Sequence, residues 1–129
     1  MSQEKLLTKS APASPGVSPN FAGVWKNQLG SVATIAVQGA AISGSYKSAV
    51  SSGGQPISGD LRGFINGDLI AFTVNWPSAA ITAWVGQLTA EPGEEVIRTL
   101  WQMTTNIPDD EEATGLWASI CAGADEFTR

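Results

Sequence analysis

The chain has 129 residues and a mass of 13.4 kDa, enough for one domain around one hydrophobic core and too little for a multidomain enzyme. Seven Lys+Arg against twelve Asp+Glu give a formal net charge of −5 and a pI near 4.5. No nucleic-acid or membrane partner is therefore expected, because both need a basic footprint. The chain has no His, which removes imidazole general bases, Ser-His triads and most zinc sites. Its one cysteine, Cys121, has no internal disulfide partner and reads as a small buried hydrophobe. Against four Phe and one Tyr stand five Trp, a side chain suited to large, rigid contact area.

In chain order, residues 1–19 hold Pro12, Pro15 and Pro19 among Ser, Ala and Lys and read as a flexible N-terminal tail. The tail lacks the apolar stretch of a signal peptide, and no window approaches the roughly 20 apolar residues of a membrane span. Residues 20–129 form the expected folded domain. Here short runs are broken by Gly, Ser, Asn and Pro with no three-and-four spacing, so helices are not expected. Strands are predicted at 22–28, 31–37, 41–47, 56–65, 69–76, 80–88, 95–103 and 115–128. The clearest is Leu69 to Trp76, after the tight-turn signal Asn66-Gly67-Asp68. Eight short strands fit an all-β fold, an antiparallel up-and-down β-barrel whose interior holds one small ligand. A β-sandwich is the alternative. Gly23-Val24-Trp25 favours the barrel, since a Gly-x-Trp at the start of strand one resembles the calycin group, in which the Trp plugs the closed end.

Alternation within strands assigns the inner face. With Trp76 inside, the interior also receives Trp25, Asn27, Ser31, Tyr46, Ser48, Thr82, Trp84, Thr99, Trp101, Gly123 and Asp125. An unpaired buried hydroxyl, amide or carboxylate costs about 1–3 kcal/mol. These groups therefore either satisfy one another or receive a polar ligand, and the Trp among them imply a ligand with an apolar body. Catalysis is not expected: Ser31 and Ser48 have no His or Lys at a recognisable spacing, and a glycosidase pair needs two acids in one cleft where only Asp125 points inward. No cofactor is expected. Asp109-Asp110-Glu111-Glu112 lacks the alternation of an EF-hand and reads as a solvated hairpin tip, so no metal site is expected. The outward positions of the last strand, Leu116, Ala118, Ile120, Ala122 and Ala124, are all apolar, a surface that calls for burial against another subunit.

Seven segments in order, Trp25-Lys-Asn-Gln-Leu-Gly-Ser31, Gly44-Ser-Tyr-Lys-Ser-Ala-Val50, Phe72-Thr-Val-Asn-Trp76, Thr82-Ala-Trp-Val-Gly-Gln87, Trp101, Trp117 and Gly123-Ala-Asp-Glu-Phe-Thr-Arg129, resemble the avidin/streptavidin family of biotin-binding proteins. The resemblance spans about Phe21 to Arg129. It implies non-catalytic, high-affinity biotin binding. Asn27, Ser31 and Tyr46 would donate to the ureido oxygen, Ser48 and Asp125 would accept from the ureido N–H groups, and Thr82 would approach the thioether sulfur. Trp76, Trp84 and Trp101 would wall the pocket, with Trp117 reaching a neighbouring subunit's site. The loop of Val50, Ser51, Ser52, Gly53 and Gly54 would close over the ligand and meet its carboxylate. The family implies a homo-oligomer, a tetramer or a dimer, and a secreted protein whose leader is absent from this sequence, with the cytoplasm an open alternative. Two departures, Ala80 where the family commonly has a hydroxyl and Ser51-Ser52 where it often has Gly-Asn, imply affinity that is tight without being extreme. The competing readings are a lipocalin-like carrier of another hydrophobic molecule and an oligomeric barrel with weakened biotin binding.

Overall fold

A computed structural model of the chain describes residues 2–10, 19–49, 54–91 and 94–129. Among these residues eight strands close into one antiparallel barrel in sequence order: β1 (Gly23–Asn27), β2 (Val32–Gln38), β3 (Ala41–Lys47), β4 (Ser58–Asn66), β5 (Leu69–Asn75), β6 (Ala80–Glu91), β7 (Glu94–Thr105) and β8 (Ile120–Thr128). Each strand pairs with the next, and β8 returns to β1 through Lys26↔Thr128 and Asn27↔Phe127. The expected barrel is observed, and closure leaves no free edge for another chain to extend.

The alternation that suggested strands also decides their faces. In β5, Ile70, Phe72 and Val74 are buried, while Leu69, Thr73 and Asn75 are exposed. Gly67 turns the chain from β4 to β5 with φ +60°, and Gly39 from β2 to β3 with φ +62°, a left-handed conformation that glycine adopts without a Cβ penalty.

One end of the barrel is plugged. Trp25 is 0% exposed, its indole N–H donates to the Phe21 carbonyl at 2.9 Å, and the Arg129 guanidinium lies 4.3 Å from its ring centroid. Arg129 also donates to the carbonyls of Ala22 and Asn20 and pairs with Glu95 at 2.7 Å. The C-terminal residue thereby ties the last strand to the chain entering the first. At the opposite end, antiparallel order gathers the connections 28–31, 76–79 and 106–119 and the described residues 48–49 and 54–57 between β3 and β4.

Three expectations are corrected. Helices are present in the folded domain: the β7–β8 connection folds as a 3-10 turn (Asp109–Glu111), α2 (Glu112–Gly115) and a second 3-10 turn (Leu116–Ser119), while α1 (Gln3–Leu7), with Leu6 and Leu7 exposed, precedes that domain. Short helical turns carry too little sequence for periodicity to register. The last strand consequently begins at Ile120 and not at 115, so Leu116 and Ala118 lie in a turn rather than on the strand's outer face. Cys121 is exposed. It has the inward parity of Asp125, but it stands near the strand's open-end start, where the barrel no longer covers it.

Candidate ligand-binding site

Four elements bring the polar residues together. The end of β1 and the turn after it supply Asn27 and Ser31, β3 supplies Tyr46, β6 supplies Thr82 and β8 supplies Asp125, and all five are buried. Asp125 is 7% exposed and Tyr46 3%.

Their hydrogen bonds show what each group has left to offer. The Asn27 carbonyl oxygen accepts the N–H groups of Leu29 at 3.0 Å and Ser31 at 2.9 Å, and its amide donates to the Tyr46 hydroxyl at 3.2 Å. The Ser31 hydroxyl oxygen accepts the Ala49 N–H at 3.0 Å, and Ser31 is also hydrogen-bonded to Tyr46. Acceptor positions in this cluster are thus largely occupied from within. By donor inventory, one N–H of Asn27 and one of the two hydroxyl hydrogens of Ser31 and Tyr46 stay available, the other being held in the Ser31–Tyr46 bond until an outside acceptor replaces it. Burial pushes the Tyr46 phenol up to about 12, offset in part by the bond to Ser31 and reinforced by the negative charge of Asp125. The phenol is therefore a hydrogen-bond donor throughout the neutral range.

Asp125 is held at both oxygens. Gln28 Nε2 donates to Oδ1 at 2.7 Å and Trp84 Nε1 to Oδ2 at 2.8 Å, while the Thr99 hydroxyl donates to its backbone carbonyl at 3.0 Å. A carboxylate has about four lone-pair sites, so two such bonds fix its direction and leave acceptor capacity for a ligand N–H. The alternation argument did not single out Gln28, because its side chain belongs to an exposed residue past the end of β1. Its role was legible only through the seam it spans: its Oε1 also accepts the Glu126 N–H at 3.0 Å and its Nε2 reaches the Ala124 carbonyl at 3.4 Å.

The aromatic residues divide by geometry. Trp84 is stacked on both faces, against Tyr46 at 4.8 Å and Phe72 at 4.9 Å, so it offers a ligand its edge and lends its N–H to Asp125. Trp76 stands edge-on to Tyr46 at 5.7 Å and donates to the Thr82 hydroxyl at 2.9 Å, which leaves that hydroxyl hydrogen free to turn inward. Trp101 is half-buried against the core. Ser48, at the end of β3, is half-buried and donates its backbone N–H to Ile57 at 2.8 Å. Trp117 is 83% exposed and joins none of these contacts within the chain. Val50, Ser51 and Ser52 lie outside the described residues.

Comparison with known proteins places this arrangement. The sequence matches the family profile described as "Avidin family" over residues 17–129. It is 29% identical over 136 residues to avidin-related protein 1 of Gallus gallus, covering 96% of this chain and 89% of that protein, and 28% identical to avidin-related protein 4/5 of the same species with the same coverage. Among solved structures, xenavidin superposes with a TM-score of 0.74 at 30% identity, over 88% of this chain and 99% of the other. A chicken biotin-binding protein gives 0.74 at 30% over 87% and 97%. The rhizavidin–biotin complex gives 0.69 at 27% over 85% and 95%. With the barrel, its plugged end and the polar cluster at its open end accounted for, the chain belongs to the avidin family.

Proposed function

We propose that this protein binds biotin non-catalytically inside its barrel. The observation that carries the reading is the buried cluster of Asn27, Ser31 and Tyr46, whose hydrogens converge on one acceptor once the Ser31–Tyr46 bond opens, together with the buried Asp125 carboxylate, which keeps a spare acceptor position. That pattern of three donors to one oxygen and an anionic acceptor nearby is the complement of a cyclic urea. The three donors favour the charge-separated form of the ureido group, as an oxyanion hole favours developing negative charge. Asp125 accepts one ureido N–H in a charge-assisted bond, and Ser48 accepts the other. Thr82 faces the sulfur, Trp76 and Trp101 enclose the ring and the aliphatic chain, and Trp84 meets them with its edge. The hydroxyls, amide, carboxylate and indoles of this set suit holding a neutral polar ring. With Ala80 in place of a hydroxyl at the carboxylate end, affinity is high but below the family's extreme.

We further infer a homo-oligomer in which Trp117 completes a neighbour's site. Phe64, Ala71, Val85, Leu100 and Ala124 are mutual partners across β4 to β8 and form one apolar row around the outside of the barrel. Phe64, Val85, Leu100 and Trp117 are all largely exposed in a single chain, and burial against a second copy removes that surface from water. Secretion is the family-consistent location.

Titration with biotin, followed by Trp fluorescence and thermal unfolding, tests the main reading. At a ligand concentration a hundredfold above Kd the native state gains about 2.7 kcal/mol, a rise in Tm on the order of 10 °C. No shift with millimolar biotin refutes the reading.

A further inference from the structure

The inner wall carries one cross-strand row that runs Phe72, Trp84, Trp101, Gly123 through β5, β6, β7 and β8. Three large aromatic side chains in succession end on the one residue type that has no side chain. A Cβ added to Gly123 would lie 2.4 Å from Trp101 Cζ2, 2.6 Å from Cε2 and 2.9 Å from Nε1, and all three nearest atoms belong to that indole. Gly123 has no positive φ, so backbone conformation does not demand glycine there. What demands it is the ring.

The other members of the row leave Trp101 no alternative seat. Trp84, its direct partner on β7's other side, is locked by stacking on Tyr46 and Phe72 and by its bond to Asp125. Trp101 therefore lies against the bare backbone of β8, two residues from Asp125 on the same inner face. We propose that Gly123 is a positioning residue for the ligand: it seats the Trp101 indole against β8 and so sets the width of the pocket beside the Asp125 carboxylate. Any larger residue at 123 displaces the ring, and with Trp84 immobile the ring moves into the volume reserved for the ligand. The proposal rests on the biotin reading for its ligand, though the seat itself is a property of the protein alone.

The test uses Gly123→Ala, Trp101→Phe and the double variant in the full-length protein, with biotin affinity measured by calorimetry. Introducing a methyl group into a packed site typically shifts an equilibrium by about tenfold or more. Gly123→Ala is expected to weaken biotin by at least about that factor. In the Trp101→Phe background the same change is expected to cost less than about threefold, because the shorter ring leaves room for the Cβ. An equal loss in both backgrounds, or no loss in the wild-type background, overturns the proposal. Should Gly123→Ala alone not fold, a double variant that folds and binds biotin within about threefold of Trp101→Phe upholds the seat, and a double variant that also fails to fold overturns it. Near-UV circular dichroism of the ligand-free proteins separates the two readings: Gly123→Ala is expected to alter the indole signal only where Trp101 is present. If wild-type protein binds no biotin the functional reading falls, while that spectral comparison still upholds or overturns the seat.

Discussion

Asp125 illustrates how a residue acquires a role from its partners. A carboxylate near a chain end is ordinarily solvated, yet here it is buried between the N–H donors of Gln28 and Trp84. Hydrogen bonds to charged groups contribute about 1.5–3 kcal/mol, so Asp125→Ala is expected to weaken biotin binding by about 2–3 kcal/mol. Calorimetry giving an unchanged Kd removes Asp125 from the site. Tyr46 gives a second prediction. Its phenol is raised to about 12 by burial, whereas in the unfolded chain it ionises near its ordinary value of 10. The native state holds the proton more tightly, so this contribution to stability is full below pH 10 and is lost as pH climbs from 10 through 12. Urea unfolding at pH 9 and pH 11.5 is expected to show a larger loss for wild type than for Tyr46→Phe. Because the chain has a single Tyr, its absorbance titration reports the same group directly.

Among the elements, the β1–β8 seam is the weakest join in the barrel, with two paired residues on each strand. Gln28 lengthens it by a side-chain rung, accepting from the Glu126 N–H and donating toward Ala124 and Asp125. One amide thus contributes both to closure of the barrel and, with the Trp84 indole N–H, to the orientation of Asp125. Gln28→Ala is expected to lower stability by about 1–2 kcal/mol, the worth of one or two net hydrogen bonds, and to raise the biotin Kd as well. Hydrogen exchange accelerated at Glu126 in that variant identifies the seam as the cause; unaltered exchange there points elsewhere. The β7–β8 connection is the element where local reading failed most. Its acidic run, taken as a solvated hairpin tip, is exposed but folds as a 3-10 turn leading into α2, and Leu116–Ser119, read as strand, forms a second 3-10 turn; this geometry comes from how 106–119 must cross from β7 to β8 and not from any periodic pattern.

For the whole molecule, the outward row from Phe64 to Ala124 predicts assembly. Leu100→Glu places a charge in that row, between Val85 and Ala124, and is expected to yield monomers in multi-angle light scattering where wild type gives dimers or tetramers. A monomeric wild type contradicts the oligomer. If Trp117 completes a neighbour's pocket, the same variant loses biotin affinity without any change inside its own barrel.

The order of eight strands and the inward parity that buries Asn27, Ser31, Tyr46, Thr82 and Asp125 were legible in the sequence, because a period of two in a closed sheet leaves each side chain only two directions. The chain by itself also excluded His-based chemistry. Tertiary structure alone decided which spare hydrogens remain, that Trp84 is spent on both faces, that Gln28 reaches across the seam, that Cys121 emerges at the rim and that Gly123 lies under Trp101. Each of those facts depends on residues many positions apart meeting in three dimensions, and periodicity along one strand carries no information about distance across the barrel.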